Sequence, residues 1–289
     1  MPNNELEKHP YLNSINDEDF ENNYFENIII GSFPIYGITS TINENGTTNL
    51  RFNQREAFMP FFYGSKRNSF WKLFSSSLFT ENPTELNQED RVEAAKSLLI
   101  ENNFLITDVI YKTNRNGERS EDSELWFETD SDFINNNRSL NSEIIRILNR
   151  NSKIKYLYFT STVLNGKSPF GWFIEIFGSN ISFNILQEVE NRVISASLVI
   201  NNRDYIAFFL PSPAGNGTRG LHFNIKRTQI FVNYLQSIDQ HFFDEINLLR
   251  PEERTPAQKE RLTQLRNSFL TESWRQVIVH KNCYFDGAI

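Results

Sequence analysis

Four short apolar runs constrain this chain more than any other feature. They are Asn27-Ile-Ile-Ile-Gly31, Phe104-Leu-Ile-Thr-Asp-Val-Ile110, Lys155-Tyr-Leu-Tyr-Phe-Thr160 and the segment 204–210. Runs this short and this continuously apolar read as strands buried on both faces. Helical patterns fall between them. In Asn68–Phe79 the residues Phe70, Trp71, Phe74 and Leu78 share a face. Helices are also predicted over roughly 89–101, 139–150 and 218–236, and from Pro256 to Leu270. A further helix runs from Pro169 to about 177, with Ser168 as its N-cap and proline at its first position. Segments 192–200 and 204–210 alternate around a polar turn at 201–204 and predict a hairpin.

Strand–helix alternation of this kind implies a three-layer α/β/α sandwich around a mostly parallel sheet, with an added hairpin and a C-terminal helical extension. The expected boundaries are an acidic arm over 1–26, an α/β domain over 27–238 and the extension over 239–289. Residues 35–58 and 112–132 are polar and turn-rich, so both are expected as loops.

Charge narrows the partners less than its total suggests. The net charge of -7 opposes contact with phosphates. Seven acids in the first 26 residues, against Lys8 alone, account for most of it. Residues 51–72 instead carry Arg51, Arg55, Lys66, Arg67 and Lys72 against Glu56, and 219–227 carry Arg219, Lys226 and Arg227 without an acid. Such local patches can grip a few phosphates, or they can be solvated helix faces. The single cysteine, Cys283, excludes an intrachain disulfide and fits a reducing, cytoplasmic setting. No run approaches a membrane span, and no basic-then-apolar leader opens the chain. The four histidines (9, 222, 241 and 280) are scattered, so neither a metal nor any other cofactor is expected.

Asn165-Gly166-Lys167-Ser168 follows a strand and opens a helix, like the end of a phosphate-binding loop. Ser161 stands where that motif needs another glycine, and one glycine cannot turn several N–H groups onto a phosphate. Helix capping is the better reading. In parallel sheets ligands bind beyond the carboxyl ends of the strands, which directs attention to the segments after Ile30, Ile106 and Phe209.

Three stretches, two of them at these strand ends, carry a resemblance. Ile30-Gly-Ser-Phe-Pro34, then Phe62-Tyr-Gly-Ser-Lys-Arg-Asn-Ser-Phe-Trp71, then Leu210-Pro-Ser-Pro-Ala-Gly-Asn216 resemble the uracil-DNA glycosylase superfamily, nearest its mismatch-type and hypoxanthine-type branches. Ile106–Ile110, Asp122-Ser123, Asp132-Phe133 and Ile154–Phe159 are similar to the same branches in the same order. The resemblance spans about residues 27–236. It implies an enzyme that flips a deaminated or modified base out of DNA and hydrolyses its N-glycosidic bond with an activated water.

The resemblance also implies roles. Ser32, Phe33, Phe62 and Tyr63 would line the base pocket, with ordinary core packing as the plain reading of the aromatics. Phe33 stands where most of the superfamily has an Asn or Asp that handles the water, which shifts that task to Asn68. Asn68 would position water or contact the base, or simply cap its helix. Asp108, an acceptor, would read an N–H on the base. Ser212 is implied in catalysis and phosphate binding. Leu210 replaces the histidine of the uracil-specific enzymes, which speaks against efficient uracil excision. Lys66, Arg67, Asn216, Arg219, Lys226 and Arg227 are implied backbone contacts, on duplex or single-stranded DNA. No lysine in these motifs serves a lyase reaction. Two alternatives stay open: a catalytically silent DNA-binding descendant, and a hydrolase of free nucleosides or nucleotides.

Overall fold

The computed structural model describes residues 6–12, 24–42, 47–115, 125–126, 139–189, 192–213 and 229–282. The fold is mixed α/β. Its main sheet has six strands: β2 (Asn27–Gly31), β5 (Phe104–Asp108), β8 (Tyr156–Phe159), β9 (Ile181–Val189), β10 (Arg192–Ile200) and β11 (Arg203–Phe209). They lie in the order β5-β2-β8-β11-β10-β9. The first four are mutually parallel, and β10 and β9 extend the sheet by antiparallel pairing.

Alternation along the strands explains why these runs are apolar throughout. Ile29, Phe104, Ile106, Tyr158 and Phe208 enter one core, shared with α1 (Phe70–Leu78), α2 (Arg91–Glu101), α5 (Gln229–Asn247) and α6 (Pro256–Ile278). Ile28, Ile30, Leu105, Leu157, Phe159, Ala207 and Phe209 enter a second core, with α3 (Glu143–Arg150) and α4 (Pro169–Phe177). Successive side chains leave a strand on opposite faces, so a strand covered on both sides has no polar alternate.

The local signals act as their chemistry requires. Ser168 Oγ accepts from the Gly171 N–H at 3.0 Å and caps α4. The phosphate-loop lookalike is therefore a capped helix start. The β10–β11 turn places Asn201 and Asn202 at φ 48° and 62°, the left-handed pair that a two-residue hairpin needs. Thr255 and Gln258 form a reciprocal capping box at the start of α6. That helix sits within the first core: the Trp274 ring meets Phe70 edge-on at 5.5 Å, and its indole N–H donates to the Pro211 carbonyl at 3.3 Å.

Three regions depart from the expectation. A second, antiparallel sheet is built from β1 (Leu6–Lys8), β3 (Ser40–Ile42), β4 (Thr48–Leu50), β6 (Lys112–Arg115) and β7 (Leu125–Trp126), in the order β4-β3-β1-β6-β7. The segments expected as loops thus contain strands, and the acidic arm supplies the central one. These strands are two to four residues long and mostly polar, so hydrophobic period cannot reveal them. Charge pairing holds them. Glu7 and Arg115 are each only 2% exposed, with Arg115 Nε 2.9 Å from Glu7 Oε2 and Arg51 Nη1 3.2 Å from Glu7 Oε1. Arg51 also lies over the Tyr36 ring at 3.7 Å. It is committed within the fold, unlike Arg55, Lys66, Arg67 and Lys72, which are exposed. Among the described residues, no helix is long and apolar enough to cross a membrane.

Candidate active site

The register of the parallel strands decides which residues meet. Gly31 pairs with Asp108, Ile30 with Phe159, and Phe159 with Phe209. The carboxyl ends of β2, β5, β8 and β11 therefore reach one rim together. Backbone bonds continue the ladder beyond the strands: Val109 N–H to Gly31 O (2.9 Å), Thr160 N–H to Ile30 O (3.2 Å) and Leu210 N–H to Phe159 O (2.8 Å).

The Tyr63–Asn68 turn and the Leu-Pro-Ser-Pro turn join at this rim. Ser69 N–H, one residue after Asn68, donates to Pro213 O at 2.9 Å. Tyr63 is held at φ 52°, a left-handed conformation that costs a non-glycine residue on the order of 1 kcal/mol. The flanking turn is tied by Phe58 N–H to Gly64 O (2.7 Å) and Lys66 N–H to Glu56 O (2.8 Å). A side chain on Gly64 would collide with the Met59 carbonyl, so only glycine follows Tyr63 here.

Around Gly31 three polar groups gather. Tyr63 Oη is 3.1 Å from Thr160 Oγ1. Tyr63 Oη and Asp108 Oδ1 both lie against the Gly31 Cα, where a Cβ would overlap each of them. Asp108 is 4% exposed; its Oδ2 faces His9 Nε2 at 2.8 Å, while Oδ1 has no hydrogen-bond partner among the described residues. Asn141 Nδ2 donates to the Asp108 carbonyl (2.9 Å) and to Thr107 Oγ1 (3.0 Å), which fixes the end of β5.

The expected site residues divide as follows. Asp108 and Tyr63 come together at the rim. Asn68 is half-buried and its Oδ1 accepts from the Phe70 N–H at 2.8 Å, which ties it to the start of α1 and leaves its NH2 to donate to a ligand. Ser212 and Ser32 are half-buried, and each has a partner within the protein. Lys66 and Arg67 are exposed on the turn beside Pro213. Asn216, Arg219, Lys226 and Arg227 lie outside the described residues, as do His222, Asp122, Ser123, Asp132, Phe133 and Cys283.

Phe33 and Phe62 meet a different partner from the one expected. The His9 ring packs edge-on to Phe33 at 5.8 Å and tilted on Phe62 at 5.0 Å, with its side chain wholly buried. Phe62 is 2% exposed and its carbonyl accepts from Trp71 Nε1–H at 2.8 Å. Neither ring presents a face for a base in this arrangement. Tyr63, stacked on Phe70 at 4.2 Å and only half-buried, is the remaining aromatic at the rim. Leu210 is fully buried in the first core.

His9, Thr160 and Asn141 went unseen in the sequence. Thr160 closes the Lys155–Thr160 run and could have been found by asking what ends each parallel strand. His9 carries no local signal, because its position depends on β1 pairing with β6, about a hundred residues on. Among the described residues, no group of three or more His, Cys, Asp or Glu is arranged to hold a metal ion. No protein-family model matches the chain, and neither a curated protein nor a solved structure is found to be similar to it.

Proposed function

We propose that this protein is a monofunctional DNA glycosylase that everts a deaminated or modified base against the rim and hydrolyses its N-glycosidic bond. The observation that carries the reading is the contact between Ser69 and Pro213, which brings two turns distant in sequence to the strand ends where Asp108 and Tyr63 lie. A base cannot be reached inside a duplex, so such an enzyme needs a recessed polar reader beside a surface that holds the backbone. Asp108 is the recessed reader. Exposed Lys66 and Arg67 supply positive charge on the neighbouring turn.

Bond cleavage leaves negative charge on the departing base. With its carbonyl occupied at the start of α1, Asn68 acts through its NH2, which donates to that developing charge. Asn68 serves the leaving group, and a water at the rim captures the sugar cation and gives its proton to the departed base.

The test is a single-turnover reaction on duplexes and single strands containing hypoxanthine, uracil or enlarged cytosines, with abasic product read after alkaline cleavage. Product on at least one, falling at least 100-fold in Asn68→Ala with binding retained, is the expected result. One observation favours a second reading, a DNA-binding protein without chemistry: Phe33 and Phe62 are buried and pack against His9. Binding that prefers a particular base, with no product from any, would select it.

A further inference from the structure

His9 is fixed in place by the architecture. It follows β1, the central strand of the second sheet, and its own N–H donates to Tyr111 O at 2.8 Å. Withdrawing it to free Phe33 and Phe62 would break β1 from β3 and β6 and separate the buried Glu7–Arg115 pair. Parting such a pair is among the larger single costs in a fold. The imidazole is thus a permanent wall of the rim.

Its proton position follows from its neighbours. Tyr11 N–H donates to His9 Nδ1 at 3.1 Å, so in the neutral ring the hydrogen sits on Nε2, where it points at Asp108 Oδ2. One carboxylate oxygen is thereby engaged and the side chain held in one orientation. The other, Oδ1, is buried with no hydrogen-bond partner among the described residues and lies, like Tyr63 Oη, against the Gly31 Cα. A buried unsatisfied acceptor is costly and rare, and a ligand donor relieves it.

We infer that His9 is a positioning residue for base recognition, presenting Asp108 Oδ1 as the acceptor for a ring or exocyclic N–H on the everted base. The inference rests on the glycosylase reading and sharpens its substrate class to bases whose hydrogen-bonding edge offers an N–H at that point. Tyr63 closes Oδ1 from solvent, so the base enters as the Tyr63 hydroxyl leaves the Gly31 face. Tyr63 is strained at φ 52° and half-buried, and moving its hydroxyl breaks the contact with Thr160.

The experiment pairs each N–H-bearing base with its N-methyl twin in the same duplex: hypoxanthine with 1-methylhypoxanthine, and uracil with 3-methyluracil. Full-length wild type should favour the N–H member of at least one pair by about 10–100-fold in single-turnover rate, the worth of one bond to a charged acceptor. His9→Gln keeps a donor toward Asp108 and should retain that ratio. His9→Phe fills the space without a donor and should bring the ratio within about threefold of unity in the folded protein, with a lower melting temperature because Asp108 Oδ2 and the Tyr11 N–H lose their partner. Should His9→Phe prove unfolded, nitrogen NMR of wild type gives a second readout, with the hydrogen expected on His9 Nε2. An undiminished ratio in folded His9→Phe, or a hydrogen on Nδ1, overturns the inference while excision stands. A wild type that makes abasic product from every base but ignores N-methylation does the same. Absence of product from any base removes the glycosylase reading itself.

Discussion

Replacing Lys281 by methionine tests the energetics at the opposite end of the sheet. Lys281 Nζ lies beneath the amino ends of the strands, donating to Asn27 Oδ1 (2.9 Å), Tyr158 Oη (2.6 Å) and Ile278 O (2.7 Å). The rings of Phe104, Tyr156 and Tyr158 surround it at 5.0–5.4 Å. Burial outweighs these contacts and the pull of Glu26, and lowers the ammonium from 10.5 to about 8. A lysine acidified by folding binds its proton more tightly in the unfolded chain. Its contribution is therefore fully present above pH 10.5 and is lost as pH falls through 8. Between pH 7 and pH 10 that linkage amounts to about 2–3 kcal/mol at most, and to about 1–2 kcal/mol once partial exposure is allowed for. Methionine keeps the apolar stem and removes the titration, and subtracting its stability cancels the other groups that ionise. Urea unfolding of both proteins at pH 7, 8, 9 and 10 should show wild type gaining on Lys281→Met by that amount. A difference that stays flat, or falls with pH, refutes the claim that desolvation governs this lysine.

Other expectations follow from contacts already described. Gly31→Ala places a methyl group into Tyr63 Oη and Asp108 Oδ1 and should cost about 1–3 kcal/mol by overpacking, with excision reduced at least tenfold; an active, equally stable variant would show that the three groups are not in contact. Arg115→Met leaves Glu7 buried with Arg51 as its remaining partner, so a loss near the lower end of the usual 3–5 kcal/mol is expected, lowering the melting temperature by about 6–12 °C. If Lys66 and Arg67 touch phosphates, the Lys66→Ala/Arg67→Ala double variant should flatten the logarithmic salt dependence of DNA binding by about 1–2. Lys153→Ala, at the other end of β8, should leave that slope unchanged.

The main sheet was legible because its strands are buried on both faces. Ile28–Ile30, Leu105-Ile106 and Leu157–Phe159 each supply side chains to two cores, which forces a continuous apolar run that no surface segment would carry. The start of α4 and the Asn201-Asn202 turn were legible for a different reason, since caps and left-handed turns are local chemistry. Asp108 was within reach through the rule that parallel sheets bind at their carboxyl ends, whereas Tyr63 was named only through the resemblance of the Phe62–Trp71 block. The surroundings of Phe33 and Phe62 were not legible, because the two look the same in sequence whether they face a ligand or a neighbour; in the fold both pack against His9.

The amino-acid order alone determined the parallel sheet, most of the helices around it and the end of it that holds polar groups, because burial and capping act over a few residues. Tertiary structure alone decided that a short polar segment can be more than a loop: the three-residue β1 becomes the centre of a sheet, and His9, Asp108, Tyr63 and Thr160 meet at Gly31. Strand register and a buried Glu7–Arg115 pair spanning 108 positions made those choices, and neither leaves a periodic trace in the chain.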